Sequence, residues 1–125
     1  MDSVRFREIR QQFSAVCDSI LEEKGLTYSQ EAVTNDRLGN LKRSATHYGC
    51  SPFQVAGIFM QKHMDSVQTW IREASKAHRK GEVLPNRVGG EPIVQRLADL
   101  RNYVDLLFAL VAEEWEPSLA PEEVP

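Results

Sequence analysis

A chain of 125 residues with 42% hydrophobic and 26% charged residues has the size and composition of one soluble globular domain. Its formal net charge of −3 argues against general nucleic-acid binding, although a few local cations could still hold a small anion. The sequence shows neither an apolar run of the roughly 20 residues that cross a bilayer nor the pattern of a secretory signal. We therefore expect a cytoplasmic protein that has no membrane partner.

The first predicted element is an amphipathic helix. Apolar residues recur every three or four positions from Ile9 to Leu21, which is the period of one helix face. Asp2 or Ser3 is placed to cap the start of this helix. Gly25 is placed to end it, because glycine readily takes the left-handed conformation of a helix stop.

A shorter second helix is predicted next. Thr34 or Asn35 can cap its start, and Gly49 can close it in the left-handed conformation. Its apolar residues follow the helical period and are therefore expected to face the core. They are Leu38, Leu41, Ala45 and Tyr48.

The clearest helix boundary in the chain follows at residues 51–54. Ser51 can cap a third helix, and Pro52 fills the first helical position, where its missing N–H costs nothing. Gln54 lies where a capping box requires it. We expect this helix to extend to about Ala77, followed by a basic loop over residues 78–90.

The last predicted helix opens at Glu91-Pro92 and is strongly apolar. Its apolar residues alternate at spacings of four and three, the rhythm of a packed helix pair. They are Ile93, Leu97, Leu100, Val104, Leu107 and Val111. We predict an all-α fold, a small bundle of about four main helices in one domain over residues 1–114. Residues 115–125 form an acidic, proline-rich tail that is expected to be disordered.

One histidine interrupts the apolar stripe of the third helix. His63 lies between Phe59 and Val67, so that it faces the same side as both. It is either a core histidine that is hydrogen-bonded by its surroundings or a functional group. The second interpretation uses its neighbours, because Lys62 and Asp65 would present a cation and a carboxylate at the edge of the core.

Polar residues also enter the first half of the last helix. Asp99 lies within one turn of Arg96, Asn102 and Tyr103, and two interpretations are open. The cluster is either a local Arg96–Asp99 pair with a solvated Asn102, or part of a site for a divalent cation such as magnesium, which prefers oxygen ligands. Acids of the first helix that could complete such a site are Asp18, Glu22 and Glu23.

The order of these motifs resembles a family of small phage and prophage proteins that carry the nucleotide-modification-associated domain 1. The resemblance covers about residues 9–114 and is carried by "ILEEKGLTYS", "NDRLGNLKRSATHYGCSPFQV", "KHMDSV" and "EPIVQRLADLRNYVDLLFALV". Its most specific parts are Lys62-His63 with Ser66, and Arg96 through Asp99 to Asn102-Tyr103.

This family is similar to the all-α nucleoside triphosphate pyrophosphatases of the MazG and dUTPase kind, in which carboxylates of a helical bundle hold magnesium. The resemblance implies a protein of the host cytoplasm that binds a nucleotide and hydrolyses it between its α- and β-phosphates. It maps Asp99 onto the aspartate of an ExxD motif whose glutamate is replaced here by Arg96. Glu22 and Glu23 also lack a partner acid three residues away, so nucleotide binding is implied more strongly than catalysis.

Three functional hypotheses follow. In the first, the chain is a magnesium-dependent nucleotide pyrophosphohydrolase with His63 and Asp99 as catalytic residues and with Glu22, Glu23 and Asp99 as metal ligands. The ligand contacts would be Lys62, Asp65, Arg96, Asn102 and Tyr103. The second is a non-catalytic nucleotide sponge or sensor acting against a host defence signal. The third is a structural homodimer joined through residues 106–111, and a homo-oligomer is expected for the first two as well.

Overall fold

The computed structural model describes residues 1–27 and 36–115, which form a helical bundle. Helix α1 spans Ser3–Thr27, α2 spans Gly39–Tyr48, α3 spans Pro52–Arg79 and α4 spans Ile93–Trp115. A two-stranded antiparallel hairpin, β1 (Arg87–Val88) and β2 (Glu91–Pro92), leads into α4. The predicted all-α class with four main helices is confirmed. The proposed caps at Thr34 and Asn35 and the tail beyond Trp115 lie outside the described residues.

The predicted boundaries at Asp2, at Ser51 and at Gly49 are confirmed. Asp2 caps α1, because its Oδ1 accepts a hydrogen bond from the Arg5 N–H at 2.8 Å. Ser51 and Gln54 form the predicted capping box at the start of α3, with distances of 3.1 Å and 2.9 Å for the two reciprocal bonds. Gly49 closes α2 with a φ of 68°, the left-handed conformation expected of it.

The prediction that Gly25 ends the first helix is wrong. Helix α1 continues to Thr27, and Gly25 is buried within it. The Arg37 side chain packs against this position, where a Cβ atom would come within 2.6 Å of Arg37 Nε. The Arg37 guanidinium then reaches the carbonyl of Leu21 at 2.7 Å. Gly25 therefore leaves room for the Arg37 side chain rather than forming a left-handed turn, and a larger residue would require that flexible side chain to shift.

The start of the last helix also differs from the prediction. Glu91-Pro92 belongs to β2, and α4 begins one residue later. Gly89 and Gly90 form the turn of the hairpin with φ values of 58° and 80°, a conformation that favours glycine at both positions. The hairpin thus holds Glu91 beside the first turn of α4.

The core lies where α2, α3 and the second half of α4 meet. Its buried apolar residues are Leu38, Leu41, Ala45, Val55, Ala56 and Leu110. Helix α4 is central, because it packs against both α3 and α1. Tyr48, which was expected to face inward, is 73% exposed. It lies in the last turn of α2, which the neighbouring helices leave uncovered. Across residues 1–27 and 36–115, no helix is long and apolar enough to cross a membrane.

Candidate functional site

A cleft of about 620 Å³ lies between α3 and the first half of α4. The end of α1, the start of α2 and strand β2 complete its walls. It brings together five of the residues singled out from the sequence, which are Lys62, His63, Arg96, Asp99 and Tyr103. It also contains residues that were not predicted, which are Lys24, Asn40, Phe59, Glu91, Pro92 and Gln95.

Helical spacing explains why these side chains meet. Arg96, Asp99 and Tyr103 follow one another at intervals of three and four residues, so they share one face of α4. On α3, His63 points inward and is buried, whereas Lys62 remains exposed at the mouth of the cleft. The cleft is therefore polar at its base and cationic at its rim.

The base of the cleft is a buried ion pair. Lys24 Nζ lies 2.6 Å from Asp99 Oδ1, and the Asp99 side chain is only 4% exposed. The other carboxylate oxygen faces His63, with 3.9 Å between Oδ2 and Nδ1. A buried carboxylate must be compensated by donors or cations, and Lys24 supplies the closest of these. Asp99 is thus held by a lysine from α1.

His63 lies in the cleft wall as a neutral group. Burial lowers its pKa below the usual value, and the nearby carboxylate of Asp99 opposes this effect. The cations of the cleft lower the pKa further, and these are Lys24, Arg96 and Lys62. The imidazole stacks on Tyr103 with 5.4 Å between ring centroids. Its Nδ1 is buried and has no hydrogen-bond partner within the described part of the chain.

Arg96 brings a second buried charge into the cleft. The residue is 8% exposed, and its Nε has no hydrogen-bond partner among the described residues. Glu91 Oε2 lies 3.5 Å from this nitrogen and compensates part of the charge. Arginine keeps its charge when buried, so the Arg96 guanidinium contributes a permanent positive charge to the cleft.

Asn102 lies behind the cleft rather than in it. Its Nδ2 donates to the carbonyl of Cys17 at 2.9 Å and so joins α4 to α1. Its Oδ1 is buried and has no hydrogen-bond partner within residues 1–27 and 36–115. Asn102 lines a smaller cavity of about 50 Å³, which shares Lys24 and Asp99 with the cleft.

The remaining predicted acids lie away from the cleft. Glu22 and Glu23 are exposed on α1, and neither lines the cleft. Asp65 is exposed on α3 and accepts a hydrogen bond from Gln61 Nε2 at 2.8 Å. Over the two described stretches, no three His, Cys, Asp or Glu side chains come together as a metal site. The donor set at Asp99 contains a cation in place of further oxygens and does not fit magnesium, whose binding stays a prediction.

The charges that line the cleft sum to a small positive excess. Lys24, Lys62 and Arg96 contribute three positive charges against the two carboxylates of Glu91 and Asp99, which leaves +1 with His63 neutral. The whole chain carries −3, so the cleft is opposite in sign to the protein as a whole. Such a site attracts a small anion locally.

Comparison with family models, with curated proteins and with solved structures gave no match for this chain. The assignment to a family of phage proteins therefore stays a prediction from the order of its motifs.

Proposed function

We propose that the cleft binds a phosphorylated small molecule, with a nucleotide as the leading candidate. The observation that carries the proposal is Arg96, a largely buried guanidinium that lines the open cleft with Lys62 and whose charge Glu91, at 3.5 Å, compensates only in part. Guanidinium groups bind phosphate through charge-assisted hydrogen bonds, often two at a time. Lys62 lies at the rim of the same cleft and would contact a second phosphate oxygen.

The size and walls of the cleft also suit a nucleotide. Its volume of about 620 Å³ falls within the range of roughly 300–1,000 Å³ that is usual for small-molecule sites. Phe59, His63 and Tyr103 give one wall an aromatic surface, with 5.8 Å between the Phe59 and Tyr103 rings. A nucleobase is planar and apolar on its faces, so it can stack on an aromatic wall. The cationic groups beside that wall suit the phosphates of the same nucleotide.

Among the functional hypotheses, binding without hydrolysis has the stronger support. Asp99 is paired with Lys24 at 2.6 Å, and the acids predicted to join it on a metal are exposed elsewhere on α1. A nucleotide sponge or sensor requires the cations of the cleft but no set of metal-binding carboxylates. The sponge hypothesis also places the protein in the cytoplasm of the host cell, where such signals occur. Its phage origin and a homo-oligomeric state stay predictions.

The proposal is tested by ligand-dependent melting and by calorimetry with pyrophosphate, a nucleoside triphosphate and the corresponding nucleoside. We expect the two phosphorylated compounds to raise the melting temperature, because ligands that bind the folded state stabilise it. Lys62→Gln removes one charge-assisted contact and should weaken binding by about tenfold. Lys76→Gln is the matched control, since Lys76 is an exposed lysine of the same helix that does not line the cleft.

Two outcomes separate the hypotheses. Binding without turnover supports the sponge or sensor, whereas release of monophosphate and pyrophosphate in the presence of magnesium would support the hydrolase. If no phosphorylated compound changes the melting temperature, or if Lys62→Gln and Lys76→Gln behave alike, the proposed phosphate site is wrong.

A further inference from the structure

The cleft between α3 and α4 has two chemically different ends. The end near the hairpin is lined by Glu91, Gln95 and Arg96, and is here called the charged end. A Cβ atom at Gly89 would lie 3.7 Å from Arg96 Nη2, so the guanidinium lies beside the hairpin turn. Tyr103 lines the cleft seven residues further along α4, about 10 Å from Arg96, since each helical residue adds about 1.5 Å. A ligand that fills the cleft would therefore meet charge at one end and an aromatic ring at the other.

The end at Tyr103, here called the aromatic end, also carries a carboxamide. The Phe59 ring meets the Tyr103 ring edge to face, with 5.8 Å between their centroids. Asn40, in the first turn of α2, lines both the cleft and the smaller cavity, and Tyr103 lines both as well. Asn40 is partly buried, and its carboxamide makes no hydrogen bond within residues 1–27 and 36–115. A partly desolvated amide without a partner is unfavourable, so Asn40 would gain from contact with a polar group of a ligand.

We propose that the aromatic end recognises adenine through Asn40, which makes the ligand an adenine nucleotide. The inference rests on the proposed function, because the phosphates of that nucleotide would lie at the charged end. A carboxamide offers a hydrogen-bond donor beside an acceptor. Adenine presents the matching pair on two of its edges, as its amino group beside either of two ring nitrogens, and asparagine can bind such an edge through two hydrogen bonds.

The other bases match this end less well. Guanine presents two acceptors on the edge that carries its five-membered ring, and such an edge suits arginine or lysine instead. The pyrimidines present a donor beside an acceptor on one edge only. Their single ring would also cover less of the Phe59 and Tyr103 surface than the two rings of a purine, so less apolar area would be buried. Adenine therefore combines the larger stacking face with two edges that fit a carboxamide.

Calorimetry on the full wild-type chain tests the base preference. It compares ATP with GTP, with pyrophosphate and with the triphosphate of purine riboside, which differs from ATP only in lacking the amino group. We expect ATP to bind about tenfold more tightly than the other two triphosphates, which is the effect of about one hydrogen bond. Equal affinities of ATP and the purine riboside triphosphate, with pyrophosphate still bound, would overturn the adenine site and leave the phosphate site standing. Absence of binding by every compound would overturn both.

The role of Asn40 is tested by Asn40→Leu, which keeps a similar size but removes the donor and the acceptor. The substitution should abolish the preference for ATP over the purine riboside triphosphate, whereas a merely structural role would weaken both compounds alike and leave the preference intact. Gln68→Leu is the matched control, since Gln68 is an exposed carboxamide of α3 that does not line the cleft. It should retain the preference. Far-UV circular dichroism verifies that each variant is folded, and a preference that survives in Asn40→Leu would overturn the assignment.

Discussion

Replacement of Lys24 by methionine would leave the buried carboxylate of Asp99 without its closest cation. The two groups are 2.6 Å apart, and the exposed fractions of their side chains are 36% for Lys24 and 4% for Asp99. Methionine keeps much of the apolar stem of lysine but removes the ammonium group. The substitution therefore tests the charge rather than the packing of α1 against α4.

The expected loss of stability follows from burial. Removing one partner of a buried ion pair costs about 3–5 kcal/mol, because the remaining charge is left uncompensated. More than a third of the Lys24 side chain is in contact with water, which screens the pair, so we take a value of about 3 kcal/mol, at the low end of that range. For a domain of this size, that loss corresponds to a decrease in melting temperature of about 10 °C.

The assay is urea denaturation of wild type, Lys24→Met and Lys62→Met. Lys62 is an exposed lysine of the same cleft, so its replacement should change the free energy of unfolding by less than about 0.5 kcal/mol. Adding Asp99→Asn to Lys24→Met removes the uncompensated charge and should recover more than half of the loss. The reasoning would be refuted if the two single lysine variants had the same stability, or if Asp99→Asn made the Lys24→Met protein weaker still.

Two further predictions concern the other charged groups of the cleft. Because burial lowers the pKa of His63 in the folded state, protons bind the unfolded chain more readily as the pH falls through the usual histidine pKa of 6.5. As the pH falls from about 6.5 to the lower folded-state pKa, the free energy of unfolding of wild type should decrease. Urea denaturation at several pH values should show a smaller decrease for His63→Gln. Parallel pH profiles of the two proteins would contradict this prediction. Glu91 lies 3.5 Å from Arg96 Nε and would compete with a bound phosphate, so Glu91→Gln should bind pyrophosphate more tightly in calorimetry. Weaker binding would instead mean that Glu91 is needed to hold Arg96 in place.

The helix boundaries could be predicted wherever a few neighbouring residues determine them. The capping box of Ser51 and Gln54 needs only residues within one turn, and its geometry in the structure is the predicted one. Gly25 shows the limit of this reasoning, because a glycine near the end of a helical pattern has two physical uses. It can take a positive φ, or it can admit another side chain, and here the other side chain is Arg37 from beyond the end of the helix. The sequence near Gly25 contains no sign of that contact.

The candidate site likewise contains residues that could be predicted from the local sequence and residues that could not. His63 and Asp99 were recognised because a polar residue within an apolar stripe is a local signal, and both line the cleft. Lys24 could not be predicted as part of the site, since its partner Asp99 is 75 residues away in sequence. Glu22 and Glu23 are adjacent to Lys24 in sequence, but successive helical residues point about 100° apart, so both remain exposed while Lys24 reaches Asp99.

The pairing of Asp99 with Lys24 changes how a loss of function at this residue should be interpreted. If Asp99 held magnesium, Asp99→Ala would abolish only what depends on the metal. In the observed arrangement, the carboxylate holds Lys24 and faces His63, with 3.9 Å between Asp99 Oδ2 and Nδ1. Asp99→Ala would therefore release the lysine and weaken the binding of phosphate even with no metal present. Binding of pyrophosphate measured with magnesium and with a chelator separates the two roles. Equal affinities that both fall in Asp99→Ala would identify Asp99 as the residue that positions the cations of the cleft, and a requirement for magnesium would identify it as a metal ligand.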